Sequence, residues 1–186
     1  MDHYIEINIL PDPEFSPSLL MNALHSKLHR ALVLLDCKDI GLSFPDYSEK
    51  PSRLGDRIRL HGNQQRLTEL MAMNWLTGMR DHIRVGEVSG TPETVRAIIV
   101  RRVQVKSNAA RIRRRQIRRH GFSEEEALQR IPDSMEKRLH LPFLTLRSHS
   151  SEQVFRLFIQ QVQATLSVGG NFNSYGLSGE ATVPYF

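Results

Sequence analysis

Several features that would mark a particular class of protein are scarce or missing in this sequence. The single cysteine, Cys37, excludes an internal disulfide and any zinc site built from several cysteines. No apolar run approaches the roughly 20 residues that a membrane-spanning helix needs. The first residues also lack the basic head and apolar stretch of a signal peptide. We therefore expect a cytoplasmic protein with no membrane partner.

Acidic residues are missing from one long stretch of the chain. Residues 94–123 contain ten Lys or Arg and no Asp or Glu. The whole chain carries 25 basic and 20 acidic residues, a net charge of +5, so the rest of the chain has 15 basic against 20 acidic residues. A charge run is often only a solvated helix face, but such faces usually mix signs. The pattern favours a segment that binds a polyanion, RNA or DNA.

Hydrophobic periodicity predicts an α+β protein. Alternation over Tyr4–Leu10 predicts a strand, and Ser16-Pro17 followed by leucines at helical spacing predicts a helix to about Leu35. The other elements of this half are strands at 40–44, 57–61 and 82–85, a loop at 45–55, and a helix from Asn63 to about Met71. Their order, β-α-β-β-α-β, is ferredoxin-like. We assign this domain to residues 1–90.

The second predicted domain, residues 91–186, is also α+β. An extended stretch over 95–106 leads into an arginine-rich helix at about 108–120, which Gly121 ends. A capping box at Ser123 opens a short helix that stops near Pro132. Strands at 141–146 and 154–160 and a glycine-rich loop at 169–178 complete the domain.

The arginine-rich helix carries a cationic stripe where a core stripe would be expected. The spacing i, i+3, i+4, i+7, i+8, which core leucines normally occupy, is filled by Arg111, Arg114, Arg115, Arg118 and Arg119. Guanidinium groups pair in a two-pronged way with phosphates and guanine edges. The groove of A-form RNA is too narrow for a helix in mid-duplex. A short RNA hairpin, whose groove opens near its ends, is therefore the favoured ligand.

Residue types alone do not decide which side chains are catalytic. Eight histidines are possible bases. His25 and His29 lie one turn apart, as a metal pair would, but no acidic or cysteine ligand accompanies them. His29 flanks the apolar stripe and is also consistent with a half-buried surface histidine, which is the more common fate of such a residue. Ser148 as a protease-like nucleophile lacks a G-x-S-x-G elbow. RNA brings its own nucleophile, the 2′-hydroxyl, so a histidine and a serine would be enough to cleave it.

A family resemblance runs through nearly the whole chain. The segments that carry it include Met1-Asp-His-Tyr4, Pro11-Asp-Pro-Glu-Phe15, Arg53-Leu-Gly55, Gln104-Val-Lys106-Ser-Asn108, the arginine-rich helix, Arg130-Ile-Pro-Asp133, Thr145-Leu-Arg-Ser148, Phe155-Arg-Leu-Phe-Ile159 and Tyr175-Gly-Leu-Ser178. Together they resemble the CRISPR-associated endoribonucleases of the type I-F (Ypest) system. The resemblance implies an enzyme, without metal or other cofactor, that cuts precursor CRISPR RNA at the 3′ base of each repeat hairpin.

The same resemblance implies the products, the partners and the roles of individual residues. The products would be a 2′,3′-cyclic phosphate and a 5′-hydroxyl, and the enzyme would stay on the hairpin with other subunits of an RNA-guided surveillance complex in bacterial cytoplasm. His29 resembles the general base, Ser148 the group that positions the 2′-hydroxyl, and Tyr175 a residue that helps place the histidine or the ribose. The implied RNA-binding residues are Arg102, Gln104, Arg111, Arg114, Arg115, Arg118, Arg119, His120 and Phe155.

Within that set the roles differ. Arg102 and Gln104 would read bases near the bottom of the stem, since their side chains offer paired hydrogen-bonding groups, and Phe155 would stack under the terminal base pair. Two rival interpretations remain: a non-catalytic RNA-hairpin-binding subunit of a ribonucleoprotein, and a sequence-specific DNA-binding regulator.

Overall fold

A computed structural model describes residues 1–104, 109–132, 139–148 and 152–186. Contacts between residues group the chain into two compact units. The first unit comprises Met1–Val103 together with Leu141–Phe186, and the second comprises Gln104–His140. Among the described residues, no helix combines the length and apolarity that crossing a membrane requires.

The described elements confirm an α+β protein. The helices are α1 (Pro17–Leu35), α2 (Gln64–Ala72), α3 (Ala109–His120) and α4 (Glu124–Arg130). The strands are β1 (His3–Ile9), β2 (Gly41–Ser43), β3 (Ser48–Glu49), β4 (Ser52–Arg53), β5 (Arg57–Gly62), β6 (Ile83–Val85), β7 (Ser89–Gly90), β8 (Arg96–Val103), β9 (Phe143–Arg147), β10 (Val154–Ala164) and β11 (Val183–Tyr185).

The first sheet of the first unit has the strand order β2-β5-β1-β6, and β7 also pairs with β1. All of these pairings are antiparallel. Along the chain the main elements run β1, α1, β2, β5, α2, β6, which is compatible with the predicted ferredoxin-like order. The prediction of a plain loop at 45–55 is wrong, because β3 and β4 form a small hairpin there.

Helix α1 begins and ends at the predicted residues. The Ser16 hydroxyl accepts a hydrogen bond from the Leu19 N–H at 3.4 Å, and Pro17 occupies the first turn. Asp36, with a φ of 47°, ends the helix in the left-handed conformation. The buried stripe consists of Leu20, Met21, Leu24, His25, Leu28, Ala31 and Leu32. This burial fixes the rotation of the helix and hence the position of His29 at the edge of the stripe.

The second sheet of the first unit has the order β11-β8-β10-β9, again antiparallel. The strands predicted at 141–146 and 154–160 are confirmed as β9 and β10. Of the extended stretch predicted over 95–106, the structure has Arg96–Val103 as β8, and residues 105 and 106 lie outside the described residues. Inward-facing residues of this sheet join the first sheet in one hydrophobic core. Phe158 of β10 pairs with Val103 on one side and with Phe143 on the other.

The predicted domain boundary at residues 90 and 91 falls between the last strand of the first sheet and the first strand of the second. Both sheets belong to the first unit by their contacts. The division into domains 1–90 and 91–186 stays a prediction.

The second unit contains α3 and α4, which pack against each other. Gly121, with a φ of 66°, follows α3 as predicted. The capping box is also confirmed: the Ser123 hydroxyl accepts from the Glu126 N–H at 3.2 Å, and the Glu126 carboxylate accepts from the Ser123 N–H at 2.9 Å. The predicted cap of α3 at Ser107 or Asn108 lies outside the described residues.

Candidate active site

The ring of His29 is oriented by a backbone carbonyl from a distant part of the chain. Its Nδ1 lies 2.8 Å from the carbonyl oxygen of Ser174, 145 residues further along the chain. A carbonyl oxygen only accepts hydrogen bonds, so Nδ1 carries the proton in this contact. In the neutral ring Nε2 is then the unprotonated nitrogen, which is the atom that a general base needs.

Tyr175 holds the face of the same ring. The two ring centroids are 4.0 Å apart and the rings are parallel, with an interplanar angle of 0°. His25, one turn earlier on α1, also stacks on Tyr175, at 6.0 Å and 10°. Two separate contacts, one at the edge and one at the face, therefore restrict the rotation of His29.

His25 differs from His29 in its environment. It is fully buried, and burial together with the charge of the neighbouring His29 lowers its pKa to about 4. The ring is therefore neutral near pH 7. Among the described residues, no three His, Cys, Asp or Glu side chains are grouped as metal ligands. Both histidines stack on the ring of Tyr175.

A cavity of about 250 Å³ brings the predicted catalytic residues together. His29, Ser148 and Tyr175 all line it, and so does Phe155, which the sequence predicted to bind RNA. Ser148 directly follows β9, and its N–H donates to the Gln153 carbonyl at 2.9 Å. The residues 149–151 lie outside the described part of the chain. The whole cavity is built from the first unit.

Two other polar residues of this cavity were not predicted from the sequence. Ser26 lies on α1 three residues before His29, a spacing that places two side chains on one face of a helix. Arg147 lies on β9 next to Ser148, and its Nη2 is 3.3 Å from the Glu152 carboxylate. Helical spacing from His29 was the signal that could have identified Ser26.

A tight turn at Asn173–Leu177 presents the carbonyl that meets His29. The Asn173 Oδ1 accepts from the Tyr175 N–H at 2.8 Å and from the Leu177 N–H at 3.2 Å. Gly176 has a φ of 71°, and a Cβ there would lie 2.9 Å from the Leu42 side chain. The glycine of this loop therefore allows close packing on Leu42. A turn-forming Asn before Tyr-Gly was the available sequence signal.

The predicted RNA-binding residues fall in both units. In the first, Arg102 is exposed on β8 and its guanidinium carbon is 5.9 Å from the centre of the Phe155 ring. In the second, Gln104 is exposed. The stripe of α3 is exposed along its length, at Arg111, Arg114, Arg115, Arg118, Arg119 and His120. Ile112 and Ile117 on the other side of α3 are half-buried, so the helix is amphipathic with a cationic outer face.

Comparison with known families assigns the chain to a class of protein. Residues 4–186 match the family described as CRISPR-associated protein (Cas_Csy4). The match covers almost the entire sequence. The chain belongs to this family of CRISPR-associated proteins, and the resemblance stated from its segments is confirmed.

Two members of the family are similar to this chain over its whole length. The chain is 51% identical over 188 residues to the CRISPR-associated endonuclease Cas6/Csy4 of Pseudomonas aeruginosa (strain UCBPP-PA14). It is 46% identical over 187 residues to the CRISPR-associated endonuclease Cas6/Csy4 of Escherichia coli (strain UTI89 / UPEC). Both alignments cover 100% of each chain. The chain is therefore an enzyme of this endonuclease family, as predicted.

Proposed function

We propose that the protein is an endoribonuclease of the bacterial cytoplasm that binds the repeat hairpin of precursor CRISPR RNA and cleaves at its 3′ base. The names of the relatives support the CRISPR association and the nuclease activity. The exposed arginine face of α3 supports a nucleic-acid substrate. An RNA substrate is favoured over DNA because the cavity offers a base and a hydroxyl, and RNA supplies the nucleophile itself.

The orientation of His29 carries the mechanism. With Nδ1 donating to Ser174, Nε2 takes the proton of the ribose 2′-hydroxyl. The 2′ oxygen forms a bond to the adjacent phosphorus, and the bond from phosphorus to the 5′ oxygen of the next nucleotide breaks. The 5′ oxygen takes up a proton as it leaves. The products are a 2′,3′-cyclic phosphate and a 5′-hydroxyl.

The other cavity residues have positioning roles in this mechanism. Ser148 hydrogen-bonds the 2′-hydroxyl and directs it at the phosphorus, and Tyr175 keeps the imidazole in place through its parallel ring. Because a base and an internal nucleophile are sufficient, the reaction requires no metal ion and no cofactor.

Binding uses a different set of residues. Phe155 stacks under the last base pair of the stem, and Arg102, beside it, reads a base edge together with Gln104. The arginines of α3 grip the phosphates along the hairpin groove, assisted by His120. Since none of these contacts depends on the cleaved linkage, the enzyme stays on the mature RNA, where other subunits of a surveillance complex join it.

A cleavage assay with the cognate repeat RNA tests the proposal. We expect full activity in excess EDTA, cyclic-phosphate ends on the product, and no cutting of an RNA with a single 2′-deoxy substitution at the cleaved linkage. The His29→Ala variant should lose activity by at least about 100-fold, with hairpin affinity little changed. The exposed Leu34→Ala on the same helix is the matched control.

Four outcomes would contradict the proposal. Chelator-sensitive cleavage would remove the metal-free mechanism, and cutting of the 2′-deoxy RNA would remove the proposed nucleophile. Tighter binding to the same hairpin made of DNA would favour a DNA-binding regulator. Binding of the RNA without any cleavage would favour the non-catalytic hairpin-binding subunit.

A further inference from the structure

A second cavity in the first unit is larger than the one that contains His29. Its volume is about 560 Å³. Helix α1, strand β9 and the β3–β4 hairpin with the loop after it form its walls. The side chains used below are Ser18, Asn22, Arg53, Phe143 and Thr145.

The two cavities follow one another along the same pair of elements. On α1, Ser18 and Asn22 line the second cavity, and Ser26 and His29 line the first. Successive spacings of four, four and three residues place these side chains on one helix face, with about 6 Å from Asn22 to Ser26. On β9, residues 143–145 line the second cavity and residues 146–147 the first, which continues to residue 148.

A single hydrogen bond ties the helix to the strand where the cavities adjoin. The Asn22 Oδ1 accepts from the Thr145 N–H at 2.9 Å. This bond uses the acceptor of Asn22 and leaves its amide N–H groups as donors. We call the path from the His29 cavity past Asn22 to Phe143 the α1–β9 groove.

The charges in the second cavity suit a nucleic-acid strand. Arg53 is exposed, and among the described residues its side chain has no hydrogen bond or ion pair, although its charge contributes to lowering the pKa of Asp46. Asp46 is neutralised, because Arg57 donates to both of its oxygens, at 2.9 and 2.7 Å. The carboxylate of Asp56 is exposed at the margin, so a phosphate would lie on the Arg53 side.

The far end of the groove offers a stacking surface. Phe143 is 41% exposed. The guanidinium carbon of Arg156 lies 4.7 Å from the centre of its ring. Proteins that bind single-stranded nucleic acids stack the bases on exposed aromatic rings, often with an arginine nearby.

We propose that the α1–β9 groove binds the single-stranded RNA that follows the cleaved linkage on its 3′ side. This inference rests on the proposed function. Phe155, which stacks on the stem, pairs with Leu146 at the His29 cavity, and the groove runs from there along β9 to Phe143. A strand that leaves the cavity away from Phe155 therefore meets donors, a cation and a stacking surface. Cleavage then detaches this strand from the hairpin, so that the downstream fragment is released and the hairpin is retained.

Affinity measurements with uncleavable RNAs test this inference. Three RNAs carry the 2′-deoxy substitution: one ending one nucleotide after the linkage, one with about six further 3′ nucleotides, and one with the same extension on the 5′ side. For the unaltered protein, the 3′ extension should tighten binding about tenfold and the 5′ extension should not.

Variants of groove residues test whether the tighter binding of the 3′-extended RNA comes from the groove. Arg53→Gln and Phe143→Ala should each remove most of the gain, while affinity for the shortest RNA stays unchanged. Arg84→Gln, an equal loss of charge at an exposed position on β6 outside both cavities, should keep the full gain. Because Phe143 contacts Phe158, thermal unfolding of Phe143→Ala is measured as well, and Arg53→Gln on its exposed hairpin carries the test if that variant unfolds.

The inference is overturned by any of three results: no gain from the 3′ extension, a gain that Arg53→Gln leaves intact, or a gain from the 5′ extension. Cleavage of the shortest RNA in its unmodified form is scored separately. In the unaltered protein, intact cleavage without any gain from the 3′ extension refutes only the groove, whereas absent cleavage refutes the proposed function.

Discussion

At the scale of single residues, two buried histidines make the protein sensitive to acid. Burial lowers the pKa of His25 from 6.5 to about 4 and that of His61 from 6.5 to about 3. His61 hydrogen-bonds Ser43 through Nε2 at 2.8 Å. The unfolded chain binds protons at these sites below pH 6.5, before the folded protein does. The free energy of unfolding therefore falls as the pH is lowered from about 6.5 towards 4 and 3.

Replacing His25 with phenylalanine tests this linkage. His25→Phe keeps a ring against Tyr175 but removes the titrating group. We expect the variant to lose less stability between pH 7.5 and 4.5, by on the order of 2 kcal/mol, than the unaltered protein. Urea unfolding at both pH values measures it. An identical pH dependence in the two proteins would show that His25 is not the group that titrates.

At the scale of elements, the Asn173–Leu177 turn determines which carbonyl His29 meets. The side-chain oxygen of Asn173 accepts two backbone hydrogen bonds of the turn. Without this acceptor we expect the Ser174 carbonyl to leave its position 2.8 Å from Nδ1. The ring proton can then move from Nδ1 to Nε2, so that both neutral forms of His29 are populated. Asn173 is thus a positioning residue in the proposed mechanism.

We predict that Asn173→Ala lowers the cleavage rate about tenfold with unchanged hairpin affinity. Asn173→Asp keeps the acceptor oxygen and should retain most of the activity. The nitrogen chemical shifts of His29 should report a single Nδ1-protonated form in the unaltered protein and a mixture in Asn173→Ala. Unchanged His29 shifts in Asn173→Ala would assign the turn a purely structural role.

Helix α3 provides a second prediction at this scale. If five of its arginines each contact a phosphate, the logarithm of the hairpin affinity should fall with the logarithm of salt concentration with a slope of about −4. Arg115→Gln should make the slope shallower by about 1, whereas the exposed Arg84→Gln should leave it unchanged. An unaltered slope in Arg115→Gln would mean that Arg115 contacts no phosphate.

Elements with strong local signals could be predicted from the sequence, and short ones could not. The Ser16-Pro17 start of α1 and the Ser123 capping box were confirmed because both are encoded within a few residues. The two-residue strands β3 and β4 are too short to have a periodicity. Strand β11 was missed because Pro184 lies at its centre, which is tolerated there since β11 is at the sheet edge.

The candidate site was predictable in its residue types but not in its geometry. His29, Ser148 and Tyr175 came from the resemblance, and the cavity places them together. The contact of His29 with a carbonyl 145 residues away, and the cavity shared with Ser26, depend on the packing of α1 against the last third of the chain. No spacing within a local segment encodes such long-range contacts.

At the scale of the whole molecule, one compact unit is formed by two stretches that are distant in sequence. The first unit is built from two separate stretches, and Gln104–His140 lies between them in sequence. Val103 and Phe143 both pair with Phe158. They therefore occupy the strands on either side of β10, about 10 Å apart. A few residues are enough to cover that distance.

We predict that replacing residues 104–140 with a glycine-serine linker of about six residues leaves the first unit folded. Its cooperative thermal unfolding should persist, while hairpin affinity should fall at least about 100-fold, since the arginines of α3 are removed. A protein in which only these arginines are changed to glutamine is the control for affinity. Loss of cooperative unfolding in the shortened chain would show that the first unit depends on the removed segment.

Val103 and Phe143 pair with the two sides of the same residue, Phe158. The segment between them could therefore be replaced by the corresponding segment of a relative. Its two ends leave the second sheet at neighbouring positions, and His29, Ser148 and Tyr175 all lie in the retained stretches. A chimera that carries the corresponding segment of a relative should bind the hairpin groove through that relative's arginines and still cut with its own imidazole, while Arg102 and Phe155 of the retained stretches keep their contacts at the base of the stem. Groove binding and bond breaking would then be carried by separate parts of one polypeptide.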